Sequence, residues 1–352
     1  MGFRPLPLLI GLVAGLGLLP PSPALAGNGT RAPVLRWAER SPLQGARRLV
    51  VRKMAEGERA SIVLARQRQT PAFQFSFDTP RAGAFAVFQR RGGRLVSRLA
   101  HAGWLLDVAD ANGDGRSEFY YTQSNELRQG WLAAGQFRHR RLVWQGYGFA
   151  PPPRQLVFVG RFRQGHVLHS YFLFDPASTL LQLDDAGQFH PSPFKLQSGD
   201  GSAVGSRSDI LTVNLGAAAE PQLAFLDFIT PDGRKGRLRI VEAAPDGLLR
   251  SVYAARNLYG PGLGHLDVDG DGQDELLVSN GENLRALRWS AAHGVERARA
   301  YRIRPRGSGW RLVTFAVGAV DGPGLPEVVS VWTGPHGAEW IRCHSLDGKD
   351  GL

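Results

Sequence analysis

The 352-residue sequence contains a single cysteine, Cys343, so no disulfide can form within the chain. Lysine is almost absent as well: arginine supplies nearly all of the 42 positive side chains, which exceed the 31 carboxylates and give a formal net charge of +11. After the N-terminal region, no apolar run approaches the roughly 18 residues that a membrane helix needs. An apolar core, bound metal or both must therefore stabilise the chain, and its surface favours acidic partners.

The first residues have the composition of a secretory signal peptide. Arg4 precedes an apolar run from Leu6 to Leu19, which is followed by small residues that end in Ala24-Leu25-Ala26. This run of about 14 residues is short for crossing a bilayer, and an uncleaved N-terminal anchor is the alternative. We expect residues 1–26 to be the signal peptide and residues 27–352 to be one periplasmic or secreted domain without a transmembrane helix.

Two short stretches concentrate acids in spite of the positive net charge. One is Asp267-x-Asp269-x-Asp271-Gly272-x-x-Glu275, and the other is Asp110-x-Asn112-x-Asp114-Gly115-x-x-Glu118. Oxygens at positions 1, 3 and 5 of a tight loop can converge on one point, glycine at position 6 permits the sharp turn, and an acid at position 9 can complete a shell. Because such charges would repel each other without a cation, the pattern predicts a bound hard cation such as Ca²⁺, with a metal-free acidic turn as the alternative.

The same frame recurs along the chain. A decayed copy begins at Ala319, and fainter copies give starts near 52, 110, 161, 214, 267 and 319. Each unit alternates short apolar or alternating segments with Gly-, Pro-, Asn- and Asp-rich turns, which predicts four strands per unit and almost no helix. We therefore expect an all-β fold, a β-propeller of six four-stranded blades closed by an N-terminal strand within residues 32–40; seven blades are the alternative.

The two acidic loops resemble the FG-GAP/VCBS repeats of integrin-α-type β-propellers. In that family a D-x-D/N-x-D-G-x-x-D/E loop between the first two strands of a blade binds calcium. The resemblance implies two calcium ions that stabilise the fold. It implies two ligand sets: Asp110, Asn112, Asp114, the Arg116 carbonyl and Glu118 in one loop, and Asp267, Asp269, Asp271, the Gln273 carbonyl and Glu275 in the other.

The function that the sequence indicates is binding rather than catalysis. No nucleophile or metalloprotease motif occurs, so no catalytic residue and no organic cofactor are predicted. We expect an exported, monomeric module that binds a protein or an acidic glycan. We do not expect it to bind nucleic acid, because no Lys/Arg cluster is dense enough. The alternative is a polysaccharide lyase or hydrolase, whose acid and base would come from different blades and would meet at the mouth of the propeller channel.

Overall fold

The computed structural model describes residues 33–67, 83–124, 126–144, 156–164, 167–174, 179–191, 195–196, 208–215, 222–228, 235–243, 248–267, 273–281, 283–290, 294–321 and 327–346. All structural statements concern these residues. The predicted signal peptide, residues 1–26, lies outside them.

Twenty-six strands and one short 3-10 helix, Pro335–Gly337, make up the regular structure of the described residues. The N-terminal strand is β1 (Val34–Arg40). It is followed by β2 (Ala46–Lys53), β3 (Ala60–Gln67), β4 (Gly83–Arg91) and β5 (Arg94–Ala102), which form sheet I. Sheet II contains β6 (Trp104–Ala109), β7 (Glu118–Gln123), β8 (Glu126–Ala133) and β9 (Gln136–Arg141). The one helix is far too short to cross a membrane, and no described helix meets that requirement.

The next two sheets each have five strands. Sheet III contains β10 (Val143–Trp144), β11 (Leu156–Gln164), β12 (Val167–Phe174), β13 (Thr179–Leu183) and β14 (Gln188–Pro191). Sheet IV contains β15 (Lys195–Leu196), β16 (Ser208–Val213), β17 (Gln222–Phe228), β18 (Gly236–Ala243) and β19 (Leu248–Tyr259). In both, the short first strand pairs in parallel with the last strand of the antiparallel series.

The last two sheets have four strands each. Sheet V contains β20 (Leu263–Leu266), β21 (Glu275–Ser279), β22 (Asn283–Ser290) and β23 (Gly294–Arg302). Sheet VI contains β24 (Arg311–Gly318), β25 (Glu327–Thr333) and β26 (Glu339–Ser345), and its fourth strand is β1, which pairs antiparallel with β26.

The sheets are arranged around the strands β2, β6, β11, β16, β20 and β24, which we call the inner strands. Each inner strand contacts the inner strand of the next sheet, and β24 contacts β2, so that sheet VI meets sheet I. Asp107 on β6 joins three of the sheets: it accepts from the Arg48 guanidinium of sheet I at 2.9 Å and from the Phe158 N–H of sheet III at 2.8 Å. This is the arrangement of a β-propeller.

The core lies between the sheets, which explains why the middle strands are continuous apolar runs. In β21, Leu276 and Val278 pack toward sheet IV, while Leu277 packs toward sheet VI. Successive residues of a strand point to opposite faces, so a strand covered on both faces needs apolar residues at every position.

The all-β class and the propeller arrangement are confirmed, but the predicted set of six four-stranded blades differs from the structure. Five blades are each formed by one continuous segment of chain, and two of these five have five strands rather than four. The additional strands, β10 and β15, have only two residues each, which is too short to show a hydrophobic alternation in the sequence. Sheet VI is shared between β1 and the last three strands, and no seventh sheet occurs among the described residues.

Candidate metal centre

The loop between β6 and β7 contains the first predicted calcium site. Asp110 organises this loop, because its Oδ1 accepts from the N–H groups of Gly113 at 2.7 Å and Asp114 at 3.1 Å, while its Oδ2 accepts from Gly115 at 3.0 Å. Gly113 and Gly115 have φ values of +75° and +81°. These left-handed conformations are costly for other residues, so the glycines permit the backbone to wrap around one carboxylate.

Three carboxylates converge in this loop. One oxygen each from Asp110, Asp114 and Glu118 can be chosen so that all lie within 4.8 Å of one another. Oxygens that share one Ca²⁺ at 2.3–2.6 Å are separated by at most about 5 Å, so the three residues fit a single calcium ion. Asn112 is exposed, and its Oδ1 accepts from the Asp114 N–H at 2.9 Å. Asp114 Oδ1 accepts from the Arg116 N–H at 2.8 Å, which fixes the backbone at position 7.

Glu118 lies at the base of the loop and is 5% exposed. Burial raises the pKa of its carboxyl to about 7, and the neighbouring carboxylates of Asp114 and Asp110 add to this, although the Ala111 N–H donates to its Oε2 at 3.1 Å and opposes the shift. The charged form of Glu118 is thus unfavourable in the protein alone. A divalent cation at this point would remove that cost.

Side chains from the two flanking sheets approach the same loop. A Cβ at Gly115 would lie 3.5 Å from Cβ of Glu56, which follows β2 of sheet I. A Cβ at Gly113 would lie only 1.7 Å from a guanidinium nitrogen of Arg161 on β11 of sheet III. Neither neighbour could be predicted from the acidic pattern, since both come from other repeats that lack it. The φ of +75° favours glycine at position 4, whereas the Arg161 guanidinium is the end of a flexible side chain that can move aside.

The second predicted site, in the loop between β20 and β21, is described only in part. Asp269 and Asp271 lie outside the described residues. Asp267 is half-buried and Gln273 is exposed, while Glu275 is buried and its Oε1 accepts from the Arg288 guanidinium at 3.1 Å. The described residues therefore do not test the ligand set predicted for this loop.

The third loop, between β24 and β25, retains only part of the acidic pattern, and an arginine side chain of the protein itself neutralises its Asp321. Arg90 on β4 of sheet I forms an ion pair of 2.6 Å with Asp321, and its guanidinium lies over the Trp37 ring, 4.9 Å from the centroid. Asp321 also clusters with Glu327 and Cys343. The buried Cys343 thiol has a pKa raised by desolvation and by those carboxylates, which disfavours the reactive thiolate.

One hydrogen bond recurs at equivalent positions of three repeats. The side chain at position 9 accepts from the N–H at position 2: Glu118 from Ala111 at 3.1 Å, Gln222 from Leu215 at 3.0 Å, and Glu327 from Val320 at 3.0 Å. Four of the predicted repeat starts, residues 110, 214, 267 and 319, are each the first residue after an inner strand. The other two, residues 52 and 161, lie inside β2 and β11. The residue at position 9 thus closes the loop even where it is an uncharged amide.

Comparisons with known proteins give no family for this chain. No family model and no curated protein matches it. Among solved structures, the Tc holotoxin pore of Photorhabdus luminescens is similar, with a TM-score of 0.49, 14% identity and coverage of 91% of this chain but 15% of that one. A putative 6-phosphogluconolactonase from Bacteroides fragilis aligns with a TM-score of 0.40 and 14% identity, covering 69% of this chain and 68% of that chain.

Proposed function

We propose that the chain is an exported, calcium-stabilised binding and assembly module of the FG-GAP/VCBS type, in which sheets I–VI are the blades of one closed propeller. The observation that carries this proposal is the cluster formed by Asp110, Asp114 and Glu118, whose oxygens lie within 4.8 Å of one another. None of these three carboxylates forms an ion pair with a described arginine, lysine or histidine. Hard cations take such oxygen ligands, and the resemblance of the loop to FG-GAP/VCBS repeats favours calcium among them.

The role of the ion is structural in this proposal. Extracellular calcium modules bind with dissociation constants of about 10⁻⁴–10⁻³ M. If calcium exceeds the dissociation constant about 100-fold, one site stabilises the folded state by about 2.7 kcal/mol. Because β6 is an inner strand and β7 is covered on both faces, fixing their connection helps to fix the interfaces of sheet II with sheets I and III.

The proposal is tested by calcium titration of the calcium-depleted full chain, followed by calorimetry and by thermal unfolding. Asp114→Asn should remove the heat of binding and the calcium-dependent rise in Tm that belong to the first loop. Asp321→Asn is the matched control: it removes a carboxylate from the equivalent loop that Arg90 already neutralises, and it should leave calcium binding unchanged. A wild-type Tm that is the same in calcium and in chelator would contradict the structural role.

A further inference from the structure

The outer strands of three consecutive sheets carry most of their charge as arginine. On β1, β5 and β9 there are seven arginines and one carboxylate, Glu39. We call these three strands the basic arc. The arginines are Arg36, Arg40, Arg94, Arg98, Arg138, Arg140 and Arg141. The acidic loops follow the inner strands, whereas the arginines of the basic arc lie on the outermost strands of their sheets.

Contacts between the strands show that the basic arc is continuous. The Leu95 N–H of β5 donates to Glu39 Oε2 of β1 at 3.2 Å, which places these two outer strands side by side. The His101 ring of β5 lies 4.8 Å, centroid to centroid, from the Phe137 ring of β9. The three strands therefore form one surface, although they belong to sheets VI, I and II.

Four of the arginines present unneutralised charge. Arg36, Arg40, Arg94 and Arg138 are exposed, and none of them forms an ion pair with a described carboxylate. The other three have partners: Arg98 pairs with Glu58 at 2.6 Å, Arg140 binds Gln129 and a backbone carbonyl, and Arg141 lies 3.7 Å from Glu126. Since strand residues rise about 3.4 Å each, Arg36 and Arg40 are about 14 Å apart along β1.

We propose that the basic arc binds a flexible anionic polysaccharide, which would be the acidic ligand of the binding module proposed above. The guanidinium forks of the four unpaired arginines match carboxylate and sulfate groups. Leu35 and Val96, which are 45% and 43% exposed, lie among these arginines and can contact the apolar C–H faces of sugar rings.

The curvature of the surface selects against other polyanions. Six sheets around one axis are about 60° apart, so β1, β5 and β9 face in directions that differ by as much as about 120°. A flat membrane or a DNA duplex with a persistence length of about 150 bp touches only part of such a surface.

Single-stranded nucleic acid needs exposed aromatic platforms, but Trp37 is 7% exposed and Phe137 packs between sheets I and II. An acidic peptide offers no ring faces to Leu35 and Val96.

The experiment measures binding of the full chain to fluorescent heparin and alginate in chelator at several salt concentrations. Dextran is the uncharged control, and duplex DNA, poly-glutamate and anionic vesicles are competitors. Replacing one exposed arginine per strand, Arg36→Gln with Arg94→Gln and Arg138→Gln, should weaken binding at least tenfold. It should also make the logarithmic salt slope shallower by about 2 to 3.

The matched control removes the same charge elsewhere, with Arg237→Gln, Arg306→Gln and Arg311→Gln, and should change affinity less than twofold. Equal weakening by both triple variants, tighter binding of any competitor, or no polysaccharide binding in 0.1 M salt would overturn the proposal. An Asp114→Asn protein separates the two proposals. If it loses calcium binding at the first loop but retains heparin, the basic arc is independent of the metal site; if wild type binds heparin but no calcium, only the calcium proposal fails.

Discussion

Glu118→Gln should stabilise the calcium-free protein at alkaline pH and abolish the stabilisation that calcium gives through the first loop. In the folded chain the pKa of Glu118 is about 7, raised from 4.5 by burial and by nearby carboxylates. A carboxyl with a raised pKa binds its proton more tightly in the folded state, so stability is present at low pH and is lost as pH rises from 4.5 through 7. At about 1.4 kcal/mol per pKa unit, the loss approaches about 3 kcal/mol at pH 8.

The amide removes this penalty while retaining the local hydrogen bond. Gln222 is the natural precedent, since its Oε1 accepts from the Leu215 N–H at the equivalent positions of sheet IV. In Glu118→Gln, the amide oxygen can accept from Ala111, and the amide nitrogen can donate to the carboxylates of Asp110 or Asp114. At pH 8 in chelator we therefore expect the variant to be more stable than wild type by about 2–3 kcal/mol.

Thermal unfolding of both proteins, at pH 5 and pH 8 and in chelator and 10 mM calcium, checks the prediction. The difference between variant and wild type should grow with pH in chelator and shrink or reverse in calcium, where only the wild type gains the contribution of the first loop, about 2.7 kcal/mol at a 100-fold excess over the dissociation constant. The reasoning is refuted if the variant is the less stable protein in chelator at pH 8, or if its advantage does not depend on pH.

Three further substitutions test other parts of the fold. His344 is 3% exposed, and burial together with Arg342 lowers its pKa to about 4, so its imidazole is mostly neutral above pH 6.5 in both states. The stability of wild type relative to His344→Leu should therefore fall by up to about 3 kcal/mol between pH 6.5 and 4, as thermal unfolding of both proteins would show. Arg90→Gln leaves Asp321 without its cation and should lower the unfolding free energy by about 1–3 kcal/mol, whereas Arg91→Gln, at the exposed end of β4, should have little effect. Trp332 is fully buried and its Nε1 donates to Ser330 Oγ at 2.9 Å, so Trp332→Ala should cost about 3–5 kcal/mol by denaturant titration.

The features that sequence predicts well are local ones. The unit that begins at residue 267 contains the segments that become β21, β22, β23 and β24, because alternation, apolar runs and glycine turns each act within a few residues. The convergence of Asp110, Asp114 and Glu118 could likewise be predicted, since one loop holds all three. The closing strand within residues 32–40 could be inferred because the last repeat lacked an outer strand, and β1 supplies it.

The features that sequence could not predict depend on neighbours from other sheets. Arg90, which neutralises Asp321, precedes it by 231 residues, and Arg161 reaches Gly113 from the next sheet. The basic arc was not detected because its arginines are divided among three strands that are distant in sequence and adjacent only in the ring. A search for dense Lys/Arg runs therefore finds no cluster.

The pairing of β1 with β26 has a consequence for synthesis on the ribosome. Arg40 pairs with Trp340, which is 300 positions later in the chain. At about 5–20 residues per second, about 15–60 s pass between the appearance of β1 and that of its partner. During this interval the five continuous sheets can form while the edge of β1 stays unpaired. We therefore expect the nascent chain to need a holding chaperone at this edge, and final ring closure to be the step at which misassembly between two chains competes with folding.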